Sequence, residues 1–329
     1  MQLDWAFPVD LREAGAAALE AERLGFTGLW TTETPHDPYL PALAAGLATG
    51  RLQVGTGVAT AFTRSPMVTA LTAWDLQAAT GGRFLLGLGS QVKAHNARRY
   101  ATPVESPGPR LRELVECVRH IWGAFQGLHP LRFDGRFYQL DLLTPMHGPG
   151  PIDHPDIPVY LAAVRPHAYR IAGEVADGVH VHTFSTPEYL RQVALPALHE
   201  GLERSGRSRD DVTLAASLLV AVGGRHETAI RRTIGFYGST SAYRPVLEVH
   251  GLDRLSAELR AAVVGGDMGA LAAAVTDDAL ETFAVLAPSW EAAIEEIHRR
   301  WDGILDRVSV YALSGSASQD DAAAIAAAW

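Results

Sequence analysis

Four stretches of the chain carry residue types that could do chemistry. Glu33, His36 and Asp37 fall within Glu33-Thr34-Pro35-His36-Asp37-Pro38, and a carboxylate beside an imidazole can serve as acid and base. Asp37 also has a structural reading, because aspartate followed by proline favours the start of a helix. His180 and His182 form an H-x-H pair; on a strand, alternate side chains share a face, so the two could hold one metal ion. Further ligands would have to come from His36, Asp37 or Asp177, which fall in no recognisable metal spacing, so histidines that fill the core or touch a cofactor are the better reading. The third stretch, Gly87-Leu88-Gly89-Ser90-Gln91-Val92, looks like the start of a dinucleotide-binding loop. Val92 stands where the third glycine belongs, and no helix is expected to open at once. In the fourth, His95 and Asn96 could reach an anionic ligand.

These residues sit at the ends of apolar runs. Strands are predicted near residues 3, 28, 52, 83, 159, 178, 212 and 308, alternating with helices that include 11–24, 39–49, 109–125, 187–204 and 289–301. Eight alternating units predict a closed TIM-type (β/α)8 barrel, with ligands at the C-terminal ends of its strands. The segment 52–90 organises the rest as a strand broken by Gly55 and Gly57, a helix, and the continuous apolar strand ending in Gly87-Leu88-Gly89-Ser90. Glycines inside a strand mark a bulge or a close approach of backbone to something flat or bulky. Two insertions are expected: a small hairpin around Asp134-Gly135, and a helical excursion at about 223–276 within a single domain spanning 1–329.

A hydrophobic content of 47% over 329 residues is ample for one large core, and a net charge of −9 argues against nucleic acid or an anionic membrane as partner. The lone Cys117 lies in a helical apolar pattern and reads as a core residue. The chain reaches a strand-like segment at once and has no apolar run of membrane-spanning length, so a soluble cytoplasmic protein acting on a small molecule is expected.

Several short motifs stand in a telling order: Gly25-Phe26 with Gly28-Leu29-Trp30, Val54-Gly55-Thr56-Gly57-Val58, Arg64-Ser65-Pro66, Gly82-Arg83-Phe84, Leu86-Gly87-Leu88-Gly89 and Ala176-Asp177-Gly178. Together they resemble the luciferase-like monooxygenases over nearly the whole chain. The likeness looks closest to the branch of F420-dependent oxidoreductases, which includes methylenetetrahydromethanopterin reductases and deazaflavin-dependent glucose-6-phosphate dehydrogenases. The resemblance implies a bacterial-luciferase-like barrel with insertions, usually a homodimer, binding F420 or alternatively FMN in the C-terminal mouth. It also implies a bulge with a non-proline cis peptide at Gly57-Val58. Thr60, Ser90 and Gln91 would line the cofactor, with His95 near an anionic part of it, and Ala162 and Ala163 would let its phosphate tail approach the backbone. The expected activity is hydride transfer between F420 and a small organic substrate, with Glu33 and His36 handling protons. The alternatives are an FMN-dependent monooxygenase using reduced flavin and oxygen, and a metal-dependent barrel hydrolase using His180 and His182. Two departures count against sugar-phosphate oxidation. Glu33-Thr34 stands where the deazaflavin dehydrogenases carry Asp-His, and Val92 stands where the sugar-phosphate enzymes carry an acidic residue.

Overall fold

The computed structural model describes residues 1–6, 10–266, 268–311 and 319–329. The apolar runs form strands β1 (Gln2–Trp5), β2 (Gly28–Thr31), β3 (Gln53–Thr56), β4 (Ala59–Thr60), β5 (Phe84–Gly89), β6 (Phe133–Asp134), β7 (Gln139–Leu140), β8 (Val159–Ala163), β9 (Gly178–Val181), β10 (Thr213–Val222), β11 (Ala284–Ala287) and β12 (Arg307–Val310). The order β1-β2-β3-β5-β8-β9-β10-β12 closes on itself, since β12 pairs with both β10 and β1, and every pairing in the ring is parallel. This is the eight-strand barrel that the alternation predicts, and β6 with β7 is the small antiparallel hairpin.

β11 is the strand that the sequence reading missed. Only four residues long, Ala284–Ala287 reads as a connector between the helices Asp277–Phe283 and Trp290–Trp301. It becomes a strand because β10 outruns its neighbours: β9 takes Thr213–Ala216 and β12 takes Ala215–Leu218, leaving Leu219–Val222 to pair with β11. The expected helix at 187–204 carries a π-helical turn at Leu190–Ala194. Between β10 and β11 lie the helices Glu227–Gly238, Arg244–Glu248, Asp253–Val264, Met268–Ala274 and Asp277–Phe283. Phe7, Ala312 and Leu313, expected at strand ends, lie outside the described residues.

Alternation along the strands separates two cores. Leu29, Val54, Phe84, Leu86, Val159, Leu161, Val179 and Leu214 join the large cluster against the surrounding helices, while Trp30, Leu85, Tyr160 and Ala215 form a small cluster inside the barrel. Cys117 is buried in the outer cluster, as its helical pattern predicts.

The floor of the barrel is polar. Asp4 on β1 accepts from Arg307 on β12 through Nη2 at 2.7 Å and Nε at 2.8 Å, and from Trp30 Nε1 at 2.8 Å. Both ion-pair side chains are under 5% exposed, at 1% and 4%. Arg307 also bonds Gln53 on β3 and lies over the Trp30 ring at 5.3 Å. Gly28 makes this possible, since a Cβ there would stand 2.4 Å from Arg307 Nη2.

Two of the recurring motifs also belong to this end. Arg83, before β5, donates to the carbonyls of Gly46, Thr49 and Leu52. Asp177, before β9, accepts from Val159 N–H at 2.8 Å and pairs with Arg119. That places Asp177 at the end of β9 away from His182, so it cannot complete a metal site there.

Removing one partner of a buried ion pair strands the other charge. Asp4→Ala is therefore expected to lower the stability measured by urea unfolding by about 3–5 kcal/mol, and the joint change Asp4→Leu with Arg307→Met to restore most of it.

Candidate active site

The site is built on a break in one strand. Gly55 of β3 pairs with Leu85, but Ala59 of β4 pairs with Leu88, so four steps on one strand match three on the other. One extra residue is thereby inserted, a β-bulge, and the Gly57–Val58 peptide within it is cis. Thr56 replaces the missing ladder, its hydroxyl donating to Gly87 O at 2.7 Å and accepting from Gly87 N–H at 2.9 Å. Only glycine fits at position 87, because a Cβ would stand 1.8 Å from Thr56 O.

Around the bulge the barrel interior is lined by small residues. A Cβ on Gly57 would meet Trp30 at 3.1 Å and His180 Cε1 at 3.5 Å, and one on Gly89 would meet Val58 at 2.6 Å and Ala162 at 3.5 Å. Gly57, Val58, Ala162, His180 and His182 are nevertheless all partly exposed, although they face inward; an opening at the C-terminal end of the strands accounts for both facts. Beneath it lies His180, its ring edge-on to Trp30 at 4.5 Å and its Nε2 buried without a hydrogen-bond partner. Burial holds its pKa down to about 3, with the Arg307 charge acting in the same direction and the Thr56 carbonyl opposing them.

His182 follows β9 on the same face. Its Nδ1 accepts from Phe184 N–H at 3.0 Å and its Nε2 lies 3.0 Å from the Tyr243 hydroxyl. Burial lowers its pKa to about 4. With both nitrogens engaged, His182 is occupied as a metal ligand would not be, and among the described residues no group of three or more His, Cys, Asp or Glu could hold a metal ion. Tyr237 and Tyr311, whose hydroxyls are 3.2 Å apart, extend the aromatic wall.

Glu33 supports the bulge from the other side. Its Oε2 accepts from Thr60 N–H at 2.7 Å and from Arg64 Nη1 at 2.9 Å. Arg64 in turn pairs with Asp37 at 2.6 Å and lies over the Tyr39 ring. Asp37 Oδ1 accepts from Tyr39 N–H at 2.8 Å, the helix-starting role that its sequence suggests.

A family model described as luciferase-like monooxygenase matches residues 5–307 of the chain. The chain belongs to the luciferase-like monooxygenase family. It is 41% identical over 314 residues to an uncharacterised protein of Mycobacterium tuberculosis, covering 94% of this chain and 92% of that one. It is 29% identical to the 5,10-methylenetetrahydromethanopterin reductase of Methanopyrus kandleri over 80% of this chain and 79% of that one. Among solved structures, the coenzyme F420 dependent tetrahydromethanopterin reductase from Methanopyrus kandleri matches with a TM-score of 0.80 over 99% of this chain and 97% of that one. At 22% identity, that match shows the shared fold. As a member of this family, the chain is an oxidoreductase.

The luciferase-like barrel gathers the expected residues unevenly. Gly57, Val58, Thr60 and Ala162 surround the bulge, with Ala163 buried behind Ala162. Ser90 lies at the end of β5, its carbonyl accepting from Asn96 Nδ2 at 2.9 Å, and Gln91 is exposed with φ at 54°. A short helix, Lys93–Arg98, does open close behind them and carries the exposed His95. His36 is exposed, whereas the Glu33 side chain is only 7% exposed. Both donors to Glu33 reach the same oxygen, so the structure gives this carboxylate a clamping task in addition to the proton handling expected of it. Sequence reasoning met Arg64 only as part of a family motif, without a role in the site, and did not single out Tyr237, Tyr243 or Tyr311. The helical excursion gave no signal of which strand end its tyrosines would meet.

Because His180 and His182 stay neutral in the folded chain, the unfolded chain takes up more protons below about pH 6.5. Their contribution to stability is full above that value and is lost as pH falls, down to about 4 for His182 and about 3 for His180, where each titrates in the fold. Urea midpoints measured from pH 7 to 4.5 are expected to fall more gently for His182→Gln than for the parent protein.

Proposed function

We propose that the chain is an F420-dependent oxidoreductase that transfers a hydride between the deazaflavin and a small organic substrate. The observation that carries this reading is the β-bulge at the C-terminal ends of the strands, where the inward-facing Gly57, Val58 and Ala162 are partly exposed and so open to a flat ring. A relative and a structural neighbour support it, since one is a 5,10-methylenetetrahydromethanopterin reductase and the other is an F420 dependent tetrahydromethanopterin reductase.

The bulge residues Gly57, Val58 and Thr60 would hold one face of the ring system, with Ser90, Gln91 and His95 at its edge and Ala162 and Ala163 near the phosphate tail. When bound, F420 would supply C5 as the atom that accepts the hydride in its oxidised form or donates it in its reduced form. The chain's own part is to orient and to exclude water. Trp30 backs the bulge, and neutral His180 places no charge beneath the ring. Glu33 fixes Thr60 and Arg64 in place, while exposed His36 can exchange protons with solvent at the rim.

We read the helical excursion as part of the same domain. Leu40 and Leu47, 53% and 65% exposed on one face of the helix Tyr39–Ala48, suit a homodimer contact. Among the described residues no helix is long and apolar enough to cross a membrane, which agrees with action in the cytoplasm.

Apo-protein titrated separately with F420 and FMN, each followed by its own chromophore, is expected to bind F420 tightly and FMN weakly. Tight FMN binding without F420 binding would make the chain a flavin monooxygenase instead. Glu33→Gln, which removes the charge that anchors Arg64, is expected to weaken F420 binding by about tenfold.

A further inference from the structure

We infer that the Tyr243 hydroxyl, oriented by His182, donates a hydrogen bond to an oxygen of the substrate, and that the substrate is a planar carbonyl compound. The inference rests on the oxidoreductase reading for its setting and on the hydrogen-bond pattern of the mouth for its content.

The pattern fixes the protons. His182 Nδ1 accepts from Phe184 N–H, so in the neutral ring the proton sits on Nε2. At 3.0 Å from Tyr243 Oη, that Nε2–H must be the donor and the tyrosine oxygen the acceptor. The hydroxyl's own proton is then left with no acceptor among the described residues. Tyr243 is partly exposed, and its partner His182 sits on the inward face of β9, so this proton is available to a molecule in the mouth. Burial pushes the hydroxyl up to about 12, so it stays protonated as a donor and does not act as a base.

Shape around the donor narrows the substrate. The Tyr243 ring lies 4.5 Å from that of His182 and 5.4 Å from that of Tyr237, and Tyr237 stands edge-on to His182 at 4.6 Å. Aromatic walls of this kind favour a planar, apolar body. Arg165 donates to the carbonyls of Ser241 and Ala242 at 3.0 and 3.4 Å and so pins the turn that carries Tyr243 to the loop following β8.

Acetophenone and α-methylstyrene, which differ only in C=O against C=CH2, test the inference by calorimetric titration of the purified protein with and without F420. A site built to donate to oxygen discriminates against the isostere that lacks it, so acetophenone is expected to bind at least about tenfold tighter. Tyr243→Phe is expected to bring the ratio close to one with F420 affinity unchanged, and to lower the thermal midpoint slightly because the His182 Nε2–H loses its acceptor. His182→Phe should lose part of the preference and His182→Gln, which can still accept from Phe184 and donate to Tyr243, should retain it. Nitrogen-15 spectra should show His182 as the Nε2–H tautomer. Equal binding of the two probes, binding of neither, a preference that survives Tyr243→Phe, or an Nδ1–H tautomer would each overturn the inference. An acetophenone preference in a protein that fails to bind F420 would overturn the cofactor assignment while leaving this donor in place.

Discussion

The ion pair between Asp4 and Arg307 joins the first barrel strand to the last across 303 residues of chain, and much of the site depends on it. Both charges are out of water, so each is tolerable only while the other is in place. Asp4 also takes the indole N–H of Trp30, and Arg307 lies over the same ring, so the pair sets where Trp30 stands. Trp30 in turn fills the space beside Gly55 and Gly57 and meets His180 edge-on. A contact at one end of the barrel thereby fixes the surface against which the bulge rests.

The two ends of the barrel treat polar groups differently. At the N-terminal end they are satisfied within the protein: Asp177 takes a backbone N–H and an arginine, and Arg83 is spent on three carbonyls. At the C-terminal end the inward-facing His180 keeps its Nε2 buried and unpartnered. Unmet hydrogen bonds are costly in a finished core and informative at a mouth, where a ligand or water can meet them. The small residues point the same way, since inward-facing Gly57 and Ala162 are partly exposed where larger side chains would close the mouth.

Much of this was legible in the sequence because glycine has few reasons to sit inside a strand. Gly55 and Gly57 announced the bulge, and the apolar run ending at Gly89 announced its partner. The motifs that signal the family divide between the two ends. Gly28, Arg83 and Asp177 serve the floor and the sheet, whereas Gly57, Gly87 and Gly89 serve the mouth. Glu33 shows the limit of reading by proximity. Its nearness to His36 in the chain suggested an acid–base pair, but the fold turns the carboxylate toward Thr60 and Arg64, 27 and 31 residues away, and leaves His36 exposed.

What the sequence determined by itself follows from local periodicity and composition: eight strands in order, the helices between them and a core large enough for one barrel. Those properties depend on neighbours along the chain, so they can be read from it directly. What only the tertiary structure decided depends on residues far apart in sequence. β11 exists because β10 outruns the strands beside it, and the Tyr243 partner of His182 arrives from 61 residues away. Hydrogen-bond direction is set by which donors and acceptors meet in space, and no spacing in a single chain encodes that meeting.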